Sequence, residues 1–326
     1  MYTLKELQQK AIEVIETANY GGTPSTLYEP IEYGMSQGGK RIRPLLCLIA
    51  NDLCSGELNK AYPAAIAIEM LHNFTLLHDD IMDASPLRRG VPTVYKKYNT
   101  NKAILSGDTM FACAYKHLLE CDKDLAFDLV QTLTQGSIEV CEGQAYDMDF
   151  EDMECVPMSD YMKMIGLKTA VLIACSAKMG AVIAGASPQD AERLYNYGYN
   201  LGLAFQIADD WLDTYGDPAV FGKAIGGDIV NNKKSWLMTR AFDKAGSLRK
   251  ALLEAMAMPV GTPEERSAKI DTVKEIYDRL EVGEEAKQEI VRLHGLAMEY
   301  VAQLELPSEK AALLEDYAKK LIGRTK

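Results

Sequence analysis

IAIEMLHNFTLLHDDIMD, residues 66–83, is an apolar stretch that closes on three aspartates, Asp79, Asp80 and Asp83. YNLGLAFQIADDWLD, residues 199–213, repeats the arrangement with Asp209, Asp210 and Asp213, 130 residues further on. On a helix, the first and last aspartates of DDxxD lie four residues apart and share one face, about one turn from each other. Each triad therefore stands where a buried helix reaches the mouth of a cavity. Carboxylates about 4 Å apart repel by roughly 4 kcal/mol at an effective dielectric of about 20, so two such triads facing each other require cations. Oxygen-only ligands select a hard ion, and magnesium characteristically takes one or two carboxylates together with substrate phosphates. One isolated DDxxD reads most simply as a solvated helix end. Two copies, each closing an apolar helix, read as a metal site. Neither has the alternating-ligand loop, glycine and terminal glutamate of an EF-hand. A di-iron bundle needs paired ExxH motifs, and Glu69-Met70-Leu71-His72 has no second copy.

The rest of the chain is helical in composition. Prolines act mainly as punctuation, separating long stretches rich in Ala, Leu, Met, Glu and Lys. Ser187-Pro188-Gln189-Asp190 and Thr262-Pro263-Glu264-Glu265 read as helix starts: a capping hydroxyl, proline in the first turn, acids near the positive end of the dipole. Residues 101–121, 123–150, 158–180, 188–215 and 283–304 have helix length and helical spacing of apolar positions. Alternating β patterns are almost absent. The expectation is an all-α fold, a single large helical bundle around a central cavity, as one domain over 1–326. The weakest join, 243–265, sets off residues 245–326 as a helical C-terminal appendage of that domain.

A chain of 326 residues with 48% hydrophobic content can bury a sizeable core. No apolar run reaches the roughly 20 residues of a membrane span, and the charged, amphipathic start MYTLKELQQKAIEVIETA is no signal peptide. Seven cysteines form no CxxC pair, and Cys47, Cys113, Cys141 and Cys175 read as small core residues in a reducing cytosol. A soluble, cytoplasmic protein is expected. The formal net charge of −12 argues against nucleic acid as a partner.

The cations are unevenly placed. Gly38-Gly39-Lys40-Arg41-Ile42-Arg43-Pro44 sets three of them after a flexible double glycine at a helix start, a suitable phosphate cradle. Arg88-Arg89-Gly90 follows the first triad by five residues; such arginines are either surface ion pairs of little energetic weight or part of a site for metal and diphosphate. Lys168-Thr169, Lys223 and Lys233 could add cations around the second triad, though a lone lysine is more often simply solvated.

Taken in order, GGKRIRP, HDDIMD with LRRG, the Lys168-Thr169 pair, and FQIADDWLD with FGK and GGD resemble the trans-isoprenyl diphosphate synthase (polyprenyl synthetase) family, of the short-chain farnesyl or geranylgeranyl type. The resemblance spans residues 30–240 and is looser over the last 85. It implies a prenyltransferase of isoprenoid biosynthesis that joins isopentenyl diphosphate to dimethylallyl, geranyl or farnesyl diphosphate. Asp79, Asp80 and Asp83 would bind magnesium against the allylic diphosphate. Asp209, with Asp210 and Asp213 nearby, would hold a further ion, three per site in all. Arg88, Lys168, Lys223 and Lys233 would contact the allylic diphosphate; Lys40, Arg43, His72 and Arg89 would hold that of isopentenyl diphosphate. Thr169 and Gln206 would line the reaction chamber. The family pattern has Gly-Lys after the second cluster, and here Asn232 precedes Lys233 instead. A homodimer is a further implication of the resemblance.

The implied chemistry needs no nucleophilic side chain. Metal neutralises charge on the departing pyrophosphate, so the allylic C–O bond ionises. Apolar helices keep water from the carbocation. The isopentenyl double bond attacks that cation, and a proton then passes, in this family, to the pyrophosphate. His78 beside the aspartates invites a general-base role but is expected to pack or to bond an acid. Phe74 and Thr75, one turn deeper than Asp79, are positions where bulk would floor the pocket. One aromatic beside a threonine suggests a C15 to C20 product, unless Phe74 is ordinary core. A class I terpene cyclase would share the first DDxxD, but DDWLD and GGKRIRP speak against it. A non-catalytic subunit would tend to lose aspartates. A basic tail with Arg324 and Lys326 could close over the site or stay solvated.

Overall fold

The computed structural model describes residues 2–217 and 225–323. The first helices are α1 (Leu4–Thr17), α2 (Ser25–Ser36), α3 (Ile42–Leu53), α4 (Tyr62–Met82), α5 (Val94–Lys97) and α6 (Thr100–Leu118). They are followed by α7 (Ala126–Glu151), α8 (Met158–Ile165), α9 (Val171–Ile183) and α10 (Pro188–Tyr215). Then come α11 (Gly227–Val230), α12 (Trp236–Lys244), α13 (Arg249–Met256), α14 (Pro263–Arg279), α15 (Val282–Ala302) and α16 (Ser308–Ile322). The described strands are two short ones, β1 (Leu87–Arg88) and β2 (Val91–Pro92), paired as an antiparallel hairpin. The fold is all-α.

The helix boundaries follow from local chemistry. Ser187 accepts from the Asp190 amide at 3.1 Å and starts α10. Thr262 and Glu265 form a reciprocal capping box at the head of α14, with bonds of 3.2 and 3.0 Å. The stretch expected as one helix over 158–180 runs from Met158 to Ile183, with a π-turn, Gly166–Ala170, between α8 and α9. Single π-turns inside helices concentrate at functional sites, and this one carries Lys168 and Thr169.

The chain packs as two compact units. The first comprises residues up to 137, with 172–195 and 304–313; the second comprises 138–171, 196–303 and the residues from 314 onward. In the first, α4 packs between α3 and α6, and Leu46–Ala50 of α3 is wholly buried. In the second, the core gathers Leu203 and Ile207 of α10, Trp236 and Leu237 of α12, Val273 and Tyr277 of α14, and Ala286 of α15. Residues beyond 245 thus supply part of that core.

Two expectations need correction. Met158–Ile183 is long and apolar enough to cross a membrane, with mean hydropathy 1.5, yet 72% of that window is buried within the protein. It is core helix, and its apolarity comes from packing on all sides. Of the cysteines expected inside, Cys47 and Cys175 are buried, Cys113 is half-buried, and Cys141 is exposed; all seven are free thiols.

Candidate active site

In the first unit, α4 carries Asp79 and Asp80 in its last turn and Asp83 as its C-cap. The helix stops there because Ala84 turns left-handed (φ 51°) and the Ser85 amide returns to the Asp80 carbonyl at 3.0 Å. Asp80 faces inward at 2% exposure. Arg88 Nε donates to its Oδ1 at 2.9 Å, and Arg88 Nη2 lies 2.8 Å from the same oxygen. The same guanidinium reaches Asp79 Oδ2 at 3.5 Å. Arg89 and Gly90, at φ 54° and 81°, form the tight two-residue turn of the hairpin that returns Arg88 to the helix end. Burial raises the Asp80 pKa and the Arg88 bond opposes that rise. Asp79 and Asp83, four residues apart, are half-buried and exposed respectively.

The basic loop is more differentiated than three equal cations. Arg41 is 6% exposed and caps α3 in left-handed backbone. It donates to Glu69 Oε1 and to the Met35 carbonyl, each at 2.6 Å. It therefore fastens the loop to α4, and Glu69 of the lone ExxH motif is its partner. Lys40 is exposed and Arg43 is buried. The double glycine has a second use: Gly39 (φ 119°) lets the Arg89 guanidinium lie on the backbone, where a Cβ would come 2.6 Å from Arg89 Cζ. Arg89 also donates to the Gly38 carbonyl. His72 lies half-buried on α4. Burial, then Arg43, Arg89 and Arg88, holds its imidazole well below the usual range, so it is neutral near pH 7 and can donate a hydrogen bond.

One face of α4 meets α6 through aromatic rings. Phe74 makes edge contacts with His78 at 4.8 Å and Phe111 at 5.4 Å, and Phe111 continues to Tyr115 at 5.2 Å. His78 Nε2 lies 3.2 Å from the Ile104 carbonyl, which calls for the Nε2–H tautomer, and 3.9 Å from Asp108 Oδ1. Its ring is packed against α6. The Thr75 hydroxyl donates back to the His72 carbonyl at 2.8 Å. Phe111 and Tyr115 escaped the sequence reading because nothing in their spacing marks which helix α4 meets.

In the second unit, a cavity of about 40 Å³ is lined by Asp147, Lys168, Thr169, Gln206, Asp210 and Lys233, among others. The π-turn that presents Lys168 and Thr169 is held between two glycines. A Cβ on Gly143 of α7 would lie 2.3 Å from the Lys168 nitrogen, and one on Gly202 of α10 would lie 2.6 Å from Ala170 Cα. Lys168 pairs with Asp147, a residue of α7 not singled out from sequence; Gly143 within a helical run was the available signal. The Thr169 hydroxyl donates to Gln206 Oε1 at 3.0 Å, and Gln206 Nε2 donates to Asp210 Oδ1 at 3.0 Å. Asp210 Oδ2 accepts from the Tyr161 hydroxyl and, at 2.7 Å, from the Trp236 amide.

Asp210 is thus 3% exposed with both oxygens bonded to protein donors. Burial and the Asp228 carboxylate raise its pKa to about 7, against the pull of Lys233 and its donors. Asp213 Oδ2 accepts from the Asp228 amide at 2.9 Å, and Asp209 is half-buried. Asn232 stands at φ 53°, the left-handed conformation that glycine adopts freely and asparagine tolerates. Its exchange for glycine therefore leaves the backbone before Lys233 in glycine-type geometry. Lys223, Arg324 and Lys326 lie outside the described residues. A larger cavity of about 410 Å³, lined by Lys10, Glu13, Val14, Tyr62 and Ile66, contains none of the motif residues.

Among the described residues no three His, Cys, Asp or Glu side chains converge into a complete metal cage. A hard ion such as magnesium takes one or two carboxylates and fills its shell with phosphate oxygens and water. The donor set, all oxygen, fits such an ion.

A family model described as polyprenyl synthetase matches residues 24–280. The chain is 34% identical to the short chain isoprenyl diphosphate synthase of Methanothermobacter thermautotrophicus, over 97% of this chain and 93% of that one. A crystal structure of geranylgeranyl pyrophosphate synthase matches with TM-score 0.95 and 40% identity, covering 99% of both chains. The geranylgeranyl pyrophosphate synthase of Corynebacterium glutamicum, complexed with isoprenyl diphosphate and magnesium, matches with TM-score 0.85 and 26% identity over 98% of each. With a match over most of its length, the chain belongs to the polyprenyl synthetase family: it is a trans-isoprenyl diphosphate synthase, a prenyltransferase that elongates prenyl chains.

Proposed function

We propose that this chain condenses isopentenyl diphosphate with dimethylallyl, geranyl and farnesyl diphosphates in turn, giving a linear all-trans C20 diphosphate and pyrophosphate. The observation that carries the reading is the division of labour within the triads. In each, the middle aspartate is buried and bonded to protein donors, Asp80 to Arg88 and Asp210 to Tyr161, Gln206 and Trp236. Asp79 and Asp83 in one, and Asp209 and Asp213 in the other, would then supply the oxygens that face the metal. Bound magnesium, three ions per site, would supply the charge that lets the allylic C–O bond break.

The chain's own groups do the rest. Arg88, Lys168, Lys223 and Lys233 hold the allylic diphosphate and receive the charge of the departing pyrophosphate. Lys40, Arg43, Arg89 and neutral His72 hold the diphosphate of isopentenyl diphosphate. Thr169 and Gln206, tied to one another, orient the face of the chamber where the new C–C bond forms. The isopentenyl alkene attacks the allylic cation, and the proton lost afterwards goes to pyrophosphate. Phe74 with its ring partners sets the floor. The chain acts as one catalytic domain, in a cytoplasmic homodimer.

The test is chromatography of products from radiolabelled isopentenyl diphosphate with each starter in turn, with magnesium and after chelation. Labelled C20 from all three starters, abolished by chelation and restored by magnesium, is the expected result. A C15 or C25 end product would move the floor, and elongation undiminished by thorough chelation would refute the metal reading.

A further inference from the structure

Lys269, on α14, is 2% exposed. Burial pulls its ammonium below the ordinary range, and such a group persists only where hydrogen bonds compensate. Its Nζ donates to Asn232 Oδ1 at 2.8 Å and lies 3.4 Å from the carbonyl of Val230, the last residue of α11. The neighbouring Ile270 packs on Gly226, at the other end of α11: a Cβ there would come 2.5 Å from Ile270 Cδ1. The short helix thus lies between two left-handed residues, Gly226 (φ 81°) and Asn232 (φ 53°), each touched by one of two adjacent residues of α14.

Immediately after Asn232 the chain is committed to the cavity. The Lys233 amide donates to the Asp228 carbonyl at 2.9 Å, the Ser235 amide to the Lys233 carbonyl at 2.8 Å, and the Trp236 amide to Asp210. Lys233 enters the cavity wall beside Lys168 and Gln206. Glycine takes a left-handed conformation at little cost, whereas asparagine is favoured there when its short side chain is hydrogen-bonded, and Lys269 supplies that bond.

We propose that Lys269 is a positioning residue for the allylic diphosphate: by tethering the Asn232 side chain it fixes the backbone from which Lys233 reaches the substrate. The inference rests on the assignment of Lys233 to that diphosphate. It gives α14, which lies beyond the sequence motifs, a direct part in substrate affinity.

The test is steady-state kinetics of the full-length enzyme with geranyl diphosphate and isopentenyl diphosphate varied separately. Lys269→Met is expected to raise KM for geranyl diphosphate about tenfold, the scale of one lost charge-assisted hydrogen bond, with KM for isopentenyl diphosphate unchanged within about twofold. Adding Asn232→Gly to Lys269→Met should restore the allylic KM to within about threefold of the parent, because glycine needs no tether. Should Lys269→Met fail to fold, Lys269→Gln, whose shorter amide cannot serve both acceptors, is read the same way. Lys233→Ala separates the two levels. If it leaves the allylic KM unchanged, Lys233 does not hold that diphosphate and the inference falls with it. If it raises that KM while Lys269→Met does not, or raises both KM values alike, or gains nothing from Asn232→Gly, the tether alone is refuted.

Discussion

Gly143→Ala adds a single methyl group where α7 meets the π-turn that presents Lys168 and Thr169. The new Cβ would stand 2.3 Å from the Lys168 nitrogen, 2.7 Å from its Cα and 2.8 Å from the Leu167 carbonyl carbon. Ordinary contact begins at 3.4 Å, so helix and turn must part by about 1 Å. All three obstacles are backbone, and the turn has no room to retreat, because Gly202 meets Ala170 on its other side. Overpacking of this kind costs about 1–3 kcal/mol, a fall of several degrees in Tm for a chain of this size. The rate should suffer more, since a group displaced by about 1 Å from its working position can lose on the order of a hundredfold. The assay is turnover of radiolabelled isopentenyl diphosphate at saturating substrates, alongside thermal melting and far-UV circular dichroism. A roughly hundredfold drop in kcat with the helical spectrum intact is expected. A variant that melts with the parent and keeps more than about half its kcat would show that the turn is no fixed platform, and the reasoning would fail.

Glu69→Gln leaves the buried Arg41 guanidinium without its counter-charge and should cost about 3–5 kcal/mol in urea unfolding; a loss under about 1 kcal/mol would show that the pair contributes little. Phe74→Ala and Phe111→Ala remove rings from the stack between α4 and α6 and should each lengthen the product by at least one isoprene unit on chromatography; unchanged length in both would place the floor elsewhere. His72 has a folded-state pKa below its unfolded value of 6.5, so the stability it contributes is complete above that pH and is lost as pH falls below it. Thermal melts of the metal-free protein between about pH 7.5 and pH 5 should therefore show a smaller acid-side loss for His72→Gln than for the parent; identical losses would refute the assignment.

The helices were legible because their signals are local. Ser187 and Thr262 cap helices where the capping rules place them, and the apolar period delimits α10 at 188–215. The motif positions were legible because DDxxD fixes a shared helix face. Which carboxylate of a triad turns inward was not, since that depends on Arg88 and Tyr161, groups brought there by tertiary packing. Arg41 illustrates the same limit: among three adjacent cations, nothing in sequence marks the one that bonds Glu69. The π-turn inside the helix over 158–183 was not legible, because the residues packed against it, Gly143 and Gly202, lie on two other helices. Lys168–Asp147 was missed for the same reason.

Arg88 gives the first triad a tethered counter-charge: at rest the guanidinium spans Asp79 and Asp80. On the proposed reading, a metal ion arriving by itself would have to compete with that cation, whereas one arriving on a diphosphate would bring Arg88 a new anionic partner. Metal and substrate affinity would then be coupled through one side chain.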